Sequence, residues 1–224
     1  MRSATFPEKL GDCTHCPRLA GFLAEVRQQH PAYHARPVEP FGDPRARLLI
    51  VGLAPGLHGA NRTGRPFTGD HAGILLYQML HRFGFANRGE SVALEDGLEL
   101  IDCRITNAVK CLPPQNKPEP VEIRSCNHYL AAELERSSEL RVILALGGIA
   151  HKAVLMALDL KQNAFAFQHG ARHVLPTQGS GERVLIDSYH CSRYNTQTRR
   201  LTADGFAAVF TAVSSELERV AQAL

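Results

Sequence analysis

Short apolar runs alternate with amphipathic segments along the chain, and this alternation predicts its secondary structure. The predicted main strands are the continuous apolar runs RLLIVGLA, LIDCRITNAVK, LRVILALGG and RVLIDSYH, and ARHVLP is a further short strand. The intervening segments place apolar residues on one helical face, as CPRLAGFLAEVRQQH does with Leu19, Phe22, Leu23 and Val26. Buried strands alternating with helices are typical of a parallel sheet covered on both faces.

Three of the predicted loops differ in composition from the rest of the chain. They follow the first, second and fourth main strands, and they read GLAPGLHGANRTGRPFTGDHAG, CLPPQNKPEP and CSRYNTQTRR. Because ligands of such sheets bind at the carboxyl ends of the strands, these loops are the candidate site.

The overall composition limits the class of protein without naming a function. A chain of 224 residues that is 44% hydrophobic suits one domain spanning residues 1–224 and is inconsistent with disorder. The net charge of +3, with 11 further histidines, favours an anionic partner only weakly. No stretch approaches a membrane span and the first residues lack the apolar region of a signal peptide, so we expect a cytoplasmic protein.

Four of the six cysteines form a candidate metal site. Cys13 and Cys16 lie in CTHC before a predicted helix, whereas thioredoxin-like redox pairs follow a strand. With Cys111 and Cys126 they offer four thiolates, which suit zinc or a 4Fe–4S cluster, and the spacing does not separate the two. The proline-rich CLPPQNKP favours a ligand role for Cys111, although incidental or core cysteines are the alternative.

The other two cysteines have different surroundings. Cys103 lies in an apolar strand and is predicted to be a core residue. Cys191 follows the fourth main strand and lies near the candidate site.

The glycine-rich loop has the features of a ligand-binding loop. Its glycines let the backbone approach a ligand, but it matches neither the Walker A pattern nor GxGxxG. Phe67 is either buried packing or a stacking platform for a flat ligand such as a base. Asp70 is either the N-cap of the next helix or a catalytic carboxylate, and the two roles are compatible. Arg62 and Arg65 suit phosphate or a carboxylate partner.

The ends of the second and fourth strands carry further candidates. Asn107 is either a strand-end amide or a reader of a pyrimidine edge, because an amide offers both a donor and an acceptor. His190 ends the fourth strand. The loop after it is either a solvated charge run or a surface for a DNA backbone and a disrupted base stack. Its candidate DNA-binding residues are Arg193, Tyr194, Arg199 and Arg200.

The segments GLAPGLHGANRTGRPFTGD, ITNAVKCLPPQNKP and SYHCSRYNTQTRRLT, together with the cysteines, resemble the uracil-DNA glycosylase superfamily, most closely family 5. The resemblance covers nearly the whole chain. It implies a three-layer α/β/α sandwich with a central four-stranded parallel sheet, and a monomer. It also implies a structural 4Fe–4S cluster to which residues 1–45 contribute ligands, held by Cys13, Cys16, Cys111 and Cys126.

The resemblance implies a monofunctional glycosylase of base excision repair. Such an enzyme hydrolytically removes uracil, and other deaminated bases such as hypoxanthine, from double-stranded DNA and leaves an abasic site. On this hypothesis Phe67 stacks on the flipped base and Asn107 reads its edge. His190 stabilises the departing anion, and Asp70 positions or activates water. Backbone N–H groups near Ala54 and Gly56 add donors, while Arg62, Arg65 and residues 191–200 contact DNA.

Two positions depart from the usual pattern of the superfamily. Ala54 stands where most relatives carry a polar residue, which is typical of family 5 and argues against family 4. Ala54 also leaves a roomier pocket, which predicts weak discrimination against purines. Cys191 stands where the usual motif has proline, which affects the stiffness of the DNA-inserting loop.

The alternatives to a family 5 glycosylase are a family 4 enzyme and a non-catalytic iron–sulfur or zinc protein that binds nucleic acid.

Overall fold

A mixed sheet forms the centre of the computed structural model, which describes residues 9–176 and 182–221. Within these residues the sheet has six strands in the order β1-β3-β2-β4-β6-β5. The strands are β1 (Phe41–Gly42), β2 (Leu48–Gly52), β3 (Cys103–Asn107), β4 (Val142–Leu146), β5 (Arg172–Leu175) and β6 (Arg183–Ser188).

The four inner strands are parallel, which confirms the predicted central sheet. β2 pairs with β3 and β4, and β4 pairs with β6, all in parallel. The outer strands β1 and β5 are antiparallel to their neighbours. Phe41 and Gly42 form the outer strand β1, which was not among the predicted strands because two residues are too few to show a periodic pattern.

Helices cover both faces of the sheet and complete the predicted α/β/α sandwich. The helices are α1 (Pro17–Gln29), α2 (Ala60–Thr63), α3 (His71–Arg82), α4 (Pro120–Arg136), α5 (Gly148–Ala157), α6 (Arg193–Gln197) and α7 (Ala203–Ala221). On one face, Leu48 and Ile50 of β2 belong to a core that includes side chains of α3 and α7. On the other face, Leu49 and Val51 pack with side chains of α4 and α5. Burial on both faces explains why the strands appear in the sequence as continuous apolar runs.

Two of these helices lie in segments that the sequence predicts as loops. α2 has four residues and α6 has five, so neither is long enough for a helical period to be visible. Residues 222–224 lie outside the described part of the chain, as do residues 1–8 of the N-terminal segment that was predicted to contribute cluster ligands. In the described part of the chain, no helix combines the length and apolar character of a bilayer-spanning segment.

A third and smaller apolar cluster lies beside the sheet. It joins α1, α4 and the segment after β3, and the side chains of Leu19, Leu23 and Tyr129 are part of it. Arg18 of α1 donates from Nε and Nη2 to the two carboxylate oxygens of Glu122 in α4, each at 2.8 Å. The ion pair and the apolar contacts together fix α1 against α4.

Candidate active site

A pocket opens at the carboxyl ends of β2, β3 and β6, where parallel α/β sheets bind ligands. Its volume of about 420 Å³ is in the usual range for small-molecule sites. All the residues predicted for catalysis or base binding line it, and so does Arg193. Those predicted residues are Ala54, Gly56, Phe67, Asp70, Asn107 and His190.

Asp70 is both a helix cap and a lining residue of this pocket. Its Oδ1 accepts a hydrogen bond from the backbone N–H of Gly73 at 2.9 Å and so caps α3. Its Oδ2 lies toward the glycine-rich loop, and a Cβ on Gly59 would be 2.5 Å from that oxygen. Burial raises the pKa of the Asp70 carboxyl, and the Gly73 N–H limits the rise. The capping hydrogen bond therefore fixes Oδ1 and leaves Oδ2 directed toward the glycine-rich loop that lines the pocket.

Phe67 lines the pocket with its aromatic ring, and its backbone has an unusual conformation. Its φ is +55°, a left-handed value that is strained for a bulky residue and requires support from its surroundings. A Cβ on Gly52 would be 2.6 Å from the ring, so glycine is needed there. Tyr77 Oη donates to the carbonyl of Pro66 at 2.7 Å and fixes the preceding residue. The ring centroid is 5.9 Å from that of His190, and the planes are inclined by 29°.

Asn107 presents an unsatisfied acceptor inside the protein. It ends β3 directly opposite Gly52 of β2, and 3% of the residue is exposed. Its Oδ1 has no hydrogen-bond partner in the described part of the chain. A buried acceptor without a partner costs about 1–3 kcal/mol, so this amide is poised for a donor from a ligand.

His190 is a neutral side chain in the pocket at physiological pH. Burial lowers its pKa to about 4, so above that pH the ring carries one N–H donor and no charge. Asn195 of α6 donates from Nδ2 to the carbonyl of His190 at 2.8 Å and fixes its backbone. The neighbouring Cys191 is fully buried, and burial together with the Asp70 carboxylate raises its pKa. A protonated thiol of this kind is a poor nucleophile.

Arg65, which was predicted to contact DNA, is instead buried inside the protein. The residue is 1% exposed, and its guanidinium is 2.6 Å from Oδ2 of Asp96. It also donates to Thr68, Ser91 and Leu94. Since these bonds use the guanidinium inside the protein, Arg65 is not available to a phosphate. It instead anchors the chain next to Phe67.

The remaining predicted DNA-binding side chains are exposed. Tyr194 is 70% exposed on α6. Arg62 donates from Nε to the carbonyl of His58 at 2.7 Å, and the Arg200 guanidinium lies 4.3 Å above the ring of Tyr189. The exposed set comprises Arg62, Arg193, Tyr194, Arg199 and Arg200. Their contact with DNA stays a prediction.

Several residues that line the pocket or support it were not identified from the sequence. His71, Asn116 and Ser192 line the pocket, and each lies beside or within a loop that was singled out. Their position next to these loops was the available signal. Asp96 was missed because a carboxylate 31 positions from Arg65 belongs to no motif or period.

The four predicted metal-ligating cysteines line a second cavity. All are free thiols, contributed by the chain before α1, the α1 N-cap, the segment after β3, and α4. Burial raises the pKa of Cys126 to about 11 and also raises that of Cys111, to which the neighbouring cysteines add. The backbone N–H of Lys110 donates to Cys126 Sγ at 3.3 Å. These raised pKa values mean that burial disfavours the thiolate forms of Cys111 and Cys126.

The four cysteines give this second cavity the donor set of a metal centre. Thiolate sulfur is a ligand of both tetrahedral zinc and 4Fe–4S clusters, so the residues that line the cavity fit either group.

The fold, the pocket and the cysteine cavity agree with the class that the motifs suggested. The model of the uracil DNA glycosylase superfamily matches residues 39–214 of this chain. A type-5 uracil-DNA glycosylase of Thermus thermophilus is 47% identical over 214 residues, covering 93% of this chain and 95% of the relative. One from Pyrobaculum aerophilum is 40% identical over 215 residues, covering 94% and 92%.

A type-4 enzyme shares a shorter part of the sequence. The type-4 uracil-DNA glycosylase of Thermotoga maritima is 38% identical over 152 residues, which is 67% of each chain. The type-5 relatives match more of the chain at higher identity. The chain belongs to the type-5 family of the uracil-DNA glycosylase superfamily, which confirms the family inferred from the motifs.

Proposed function

We propose that the protein excises uracil from double-stranded DNA by hydrolysing the N-glycosyl bond, as a step of base excision repair. The names of the type-5 relatives support this function. The observation that carries it is the unsatisfied Oδ1 of Asn107, in the pocket that also holds Phe67, Asp70 and His190.

The first step is capture of a base outside the duplex. Extrusion of a nucleotide costs a few kcal/mol, which contacts inside the pocket repay. The ring of Phe67 offers a face for stacking, and the Asn107 amide offers an acceptor and a donor to the uracil edge. The N3–H of uracil satisfies the buried Oδ1, which has no other donor among the described residues.

Bond cleavage leaves negative charge on the base and positive charge on the sugar. His190, neutral because burial holds its pKa near 4, donates an N–H hydrogen bond to the departing anion. Asp70 orients the attacking water with Oδ2 and stabilises the cationic sugar, while its Oδ1 stays engaged with Gly73. No covalent intermediate with the protein is required.

The breadth of the pocket supports a wider substrate range. Ala54 places only a methyl group on the pocket wall, and the volume of about 420 Å³ leaves room for a purine. Discrimination by shape alone amounts to about 1–3 kcal/mol. We therefore include other deaminated bases, such as hypoxanthine, among the substrates.

The exposed basic residues around the pocket supply the DNA-binding surface. Arg193 lines the pocket, and its neighbour Tyr194 projects from α6. An exposed aromatic side chain on a short helix suits insertion into the stack from which the base is removed. Arg62, Arg199 and Arg200 suit contacts to the phosphates.

We also propose that the cysteine cavity holds a structural 4Fe–4S cluster. Four cysteines at one cavity, together with the resemblance of the cysteine pattern to the iron–sulfur-containing family, support this proposal. When bound, the cluster supplies the positive charge that keeps the four thiolates ionised. Cys13, Cys16, Cys111 and Cys126 would hold it and thereby tie α1 and α4 to the segment after β3.

The test is single-turnover release of uracil from a labelled duplex with one U·G pair, for the wild type and Asp70→Asn. Asparagine caps helices as well as aspartate does, so this change removes the charge and keeps the cap. Loss of a charge-stabilising group costs about 2.7–4 kcal/mol of barrier, so we expect a 10²- to 10³-fold lower rate at an unchanged Tm. The matched control is Asp204→Asn, an exposed aspartate in the first turn of α7.

Two results would contradict the proposal at different points. A near-normal rate for Asp70→Asn would mean that this carboxylate is only a helix cap. A wild-type protein that binds the duplex without releasing uracil would instead be a non-catalytic DNA-binding protein.

A further inference from the structure

A group of metal-ligating side chains lies apart from both the pocket and the cysteine cavity. It consists of His151 on α5, His173 on β5 and Asp187 on β6, whose ligand atoms all lie within 4.8 Å of one another. Within the described ranges this is the one group of three such side chains with that spacing. The proposed excision of uracil makes no use of it.

The carboxylate of Asp187 is at the centre of the group. Its Oδ1 is 2.8 Å from Nδ1 of His151, and its Oδ2 is 3.1 Å from Nε2 of His173. The Asp187 side chain is fully buried and that of His151 is 2% exposed, while that of His173 is 14% exposed at the sheet edge. The protein therefore shields the three side chains from solvent except beside His173.

The hydrogen-bond partners of His151 do not suit a neutral imidazole. Its Nε2 is 3.0 Å from the carbonyl oxygen of Phe165, while its Nδ1 faces the Asp187 carboxylate. Both nitrogens therefore face acceptors, but neutral imidazole has one N–H. Either the His151–Asp187 pair holds a second proton, or a cation bridges Nδ1 and the carboxylate.

The contact with Phe165 favours a metal. Metal-binding histidines usually donate the other ring N–H to a carbonyl or carboxylate, which fixes the tautomer and the ring orientation. His151 has this arrangement, with Nε2–H directed at the Phe165 carbonyl and Nδ1 facing the Asp187 carboxylate, so that both groups can bind the same cation. Bonds of about 2.0–2.2 Å place neighbouring zinc ligands about 3.3 Å apart, so the observed contacts need to open by only a few tenths of an ångström.

We propose that His151, His173 and Asp187 bind a divalent transition-metal ion of the zinc class. Two imidazoles and one carboxylate are typical ligands of zinc. Water completes the coordination on the exposed side of His173. The ion ties the edge strand β5 to β6 and α5, so its role is structural.

The test uses the cluster-containing protein after dialysis against a mild chelator. Zinc is added in steps, and bound zinc and iron are measured on the same samples by mass spectrometry. We expect one zinc per chain beyond any at the cysteines, with a rise in Tm. His173→Gln keeps a polar side chain at this partly buried position and should weaken zinc binding at least tenfold. His34→Gln is the matched control, because His34 is also partly buried with one backbone contact.

X-ray absorption at the zinc edge identifies the ligands independently of stability. We expect nitrogen and oxygen at about 2.0–2.2 Å and no sulfur at about 2.3 Å. Sulfur ligands would place the zinc at the cysteines and overturn the proposal. Equal zinc binding by the wild type and His173→Gln, or none by either, would also overturn it and leave a doubly protonated His151 beside Asp187.

Discussion

The end of β3 and the segment that follows it contribute to both the pocket and the cysteine cavity, but the two sites are built on different parts of the fold. Asn107 ends β3 in the pocket, and Cys111 lines the cavity four residues later. The pocket is built on adjacent parallel strands, where the register places Gly52 opposite Asn107. The cavity instead draws on α1, α4 and the segment after β3, which meet in a small apolar cluster outside the sheet.

The two regions also differ in how their polar groups are satisfied. The pocket keeps an unpaired Oδ1 on Asn107 and a neutral His190, both held by a rigid frame. In the cavity, burial raises the pKa values of the Cys111 and Cys126 thiols, so their thiolate forms require a compensating cation. The unsatisfied polar groups of the pocket therefore lower the free energy of unfolding but remain available to a ligand. In the cavity, by contrast, a bound group is expected to raise the free energy of unfolding. Substitutions in the pocket should reduce the rate, and those in the cavity should reduce stability.

The largest effect is expected from Cys111→Ala. Loss of one ligand should release the proposed cluster, and the loss of a metal site is among the few single changes that cost more than about 4–5 kcal/mol. For a chain of this size that corresponds to a fall in Tm of more than about 10 °C. Iron content, visible absorbance and thermal unfolding measure the effect.

Cys103→Ala is the matched control for this prediction. Cys103 is a fully buried cysteine in β3, outside the cavity. Its replacement should cost about 1 kcal/mol and keep the iron. Equal falls in Tm for the two variants, or unchanged iron in Cys111→Ala, would contradict the difference between the two regions.

The central sheet and the composition of the pocket were predictable from the sequence for one physical reason. Strands buried on both faces are continuous apolar runs, and the loops after parallel strands meet at one edge of the sheet. This is why Asp70, Asn107 and His190 could be placed together from positions far apart in the chain.

The Arg65–Asp96 pair and the proposed zinc ligands could not be found in the same way. Arg65 resembles any basic residue of an exposed loop, and only the tertiary structure brings Asp96 to 2.6 Å from it. His151 and Asp187 likewise lie in an apolar helix and an apolar strand, without a ligand-like spacing. Contacts between distant segments have no local pattern, so these residues required the structure.

A smaller effect, confined to the rate, is expected from Asn107→Ala. The change should lower single-turnover uracil release about 10- to 100-fold, because an unpaired uracil edge costs about 1–3 kcal/mol. It also removes a buried acceptor that is already unpaired, so Tm should not fall by more than about 3 °C. Release kinetics and thermal unfolding are measured on the same preparation.

The control is Asn127→Ala on α4, beside Cys126. Asn127 is also buried, but its Nδ2 donates to the carbonyl of Ala153 at 2.8 Å. Its loss should lower Tm by about 2–6 °C and leave the rate unchanged well below the transition. A larger loss of stability in Asn107→Ala than in Asn127→Ala would show that Asn107 supports the fold rather than a ligand.

The smallest effect concerns which of the two regions faces DNA. Arg193 is exposed at the pocket, and Arg124 is exposed on α4 two residues from Cys126. Binding of an abasic-site duplex, measured by fluorescence anisotropy over a range of salt concentrations, counts the phosphate contacts. Arg193→Gln should reduce the magnitude of the slope of log K against log salt concentration by about 1, whereas Arg124→Gln should leave it unchanged. Equal reductions would place DNA against the cysteine region as well, and this region would then bind DNA besides stabilising the fold.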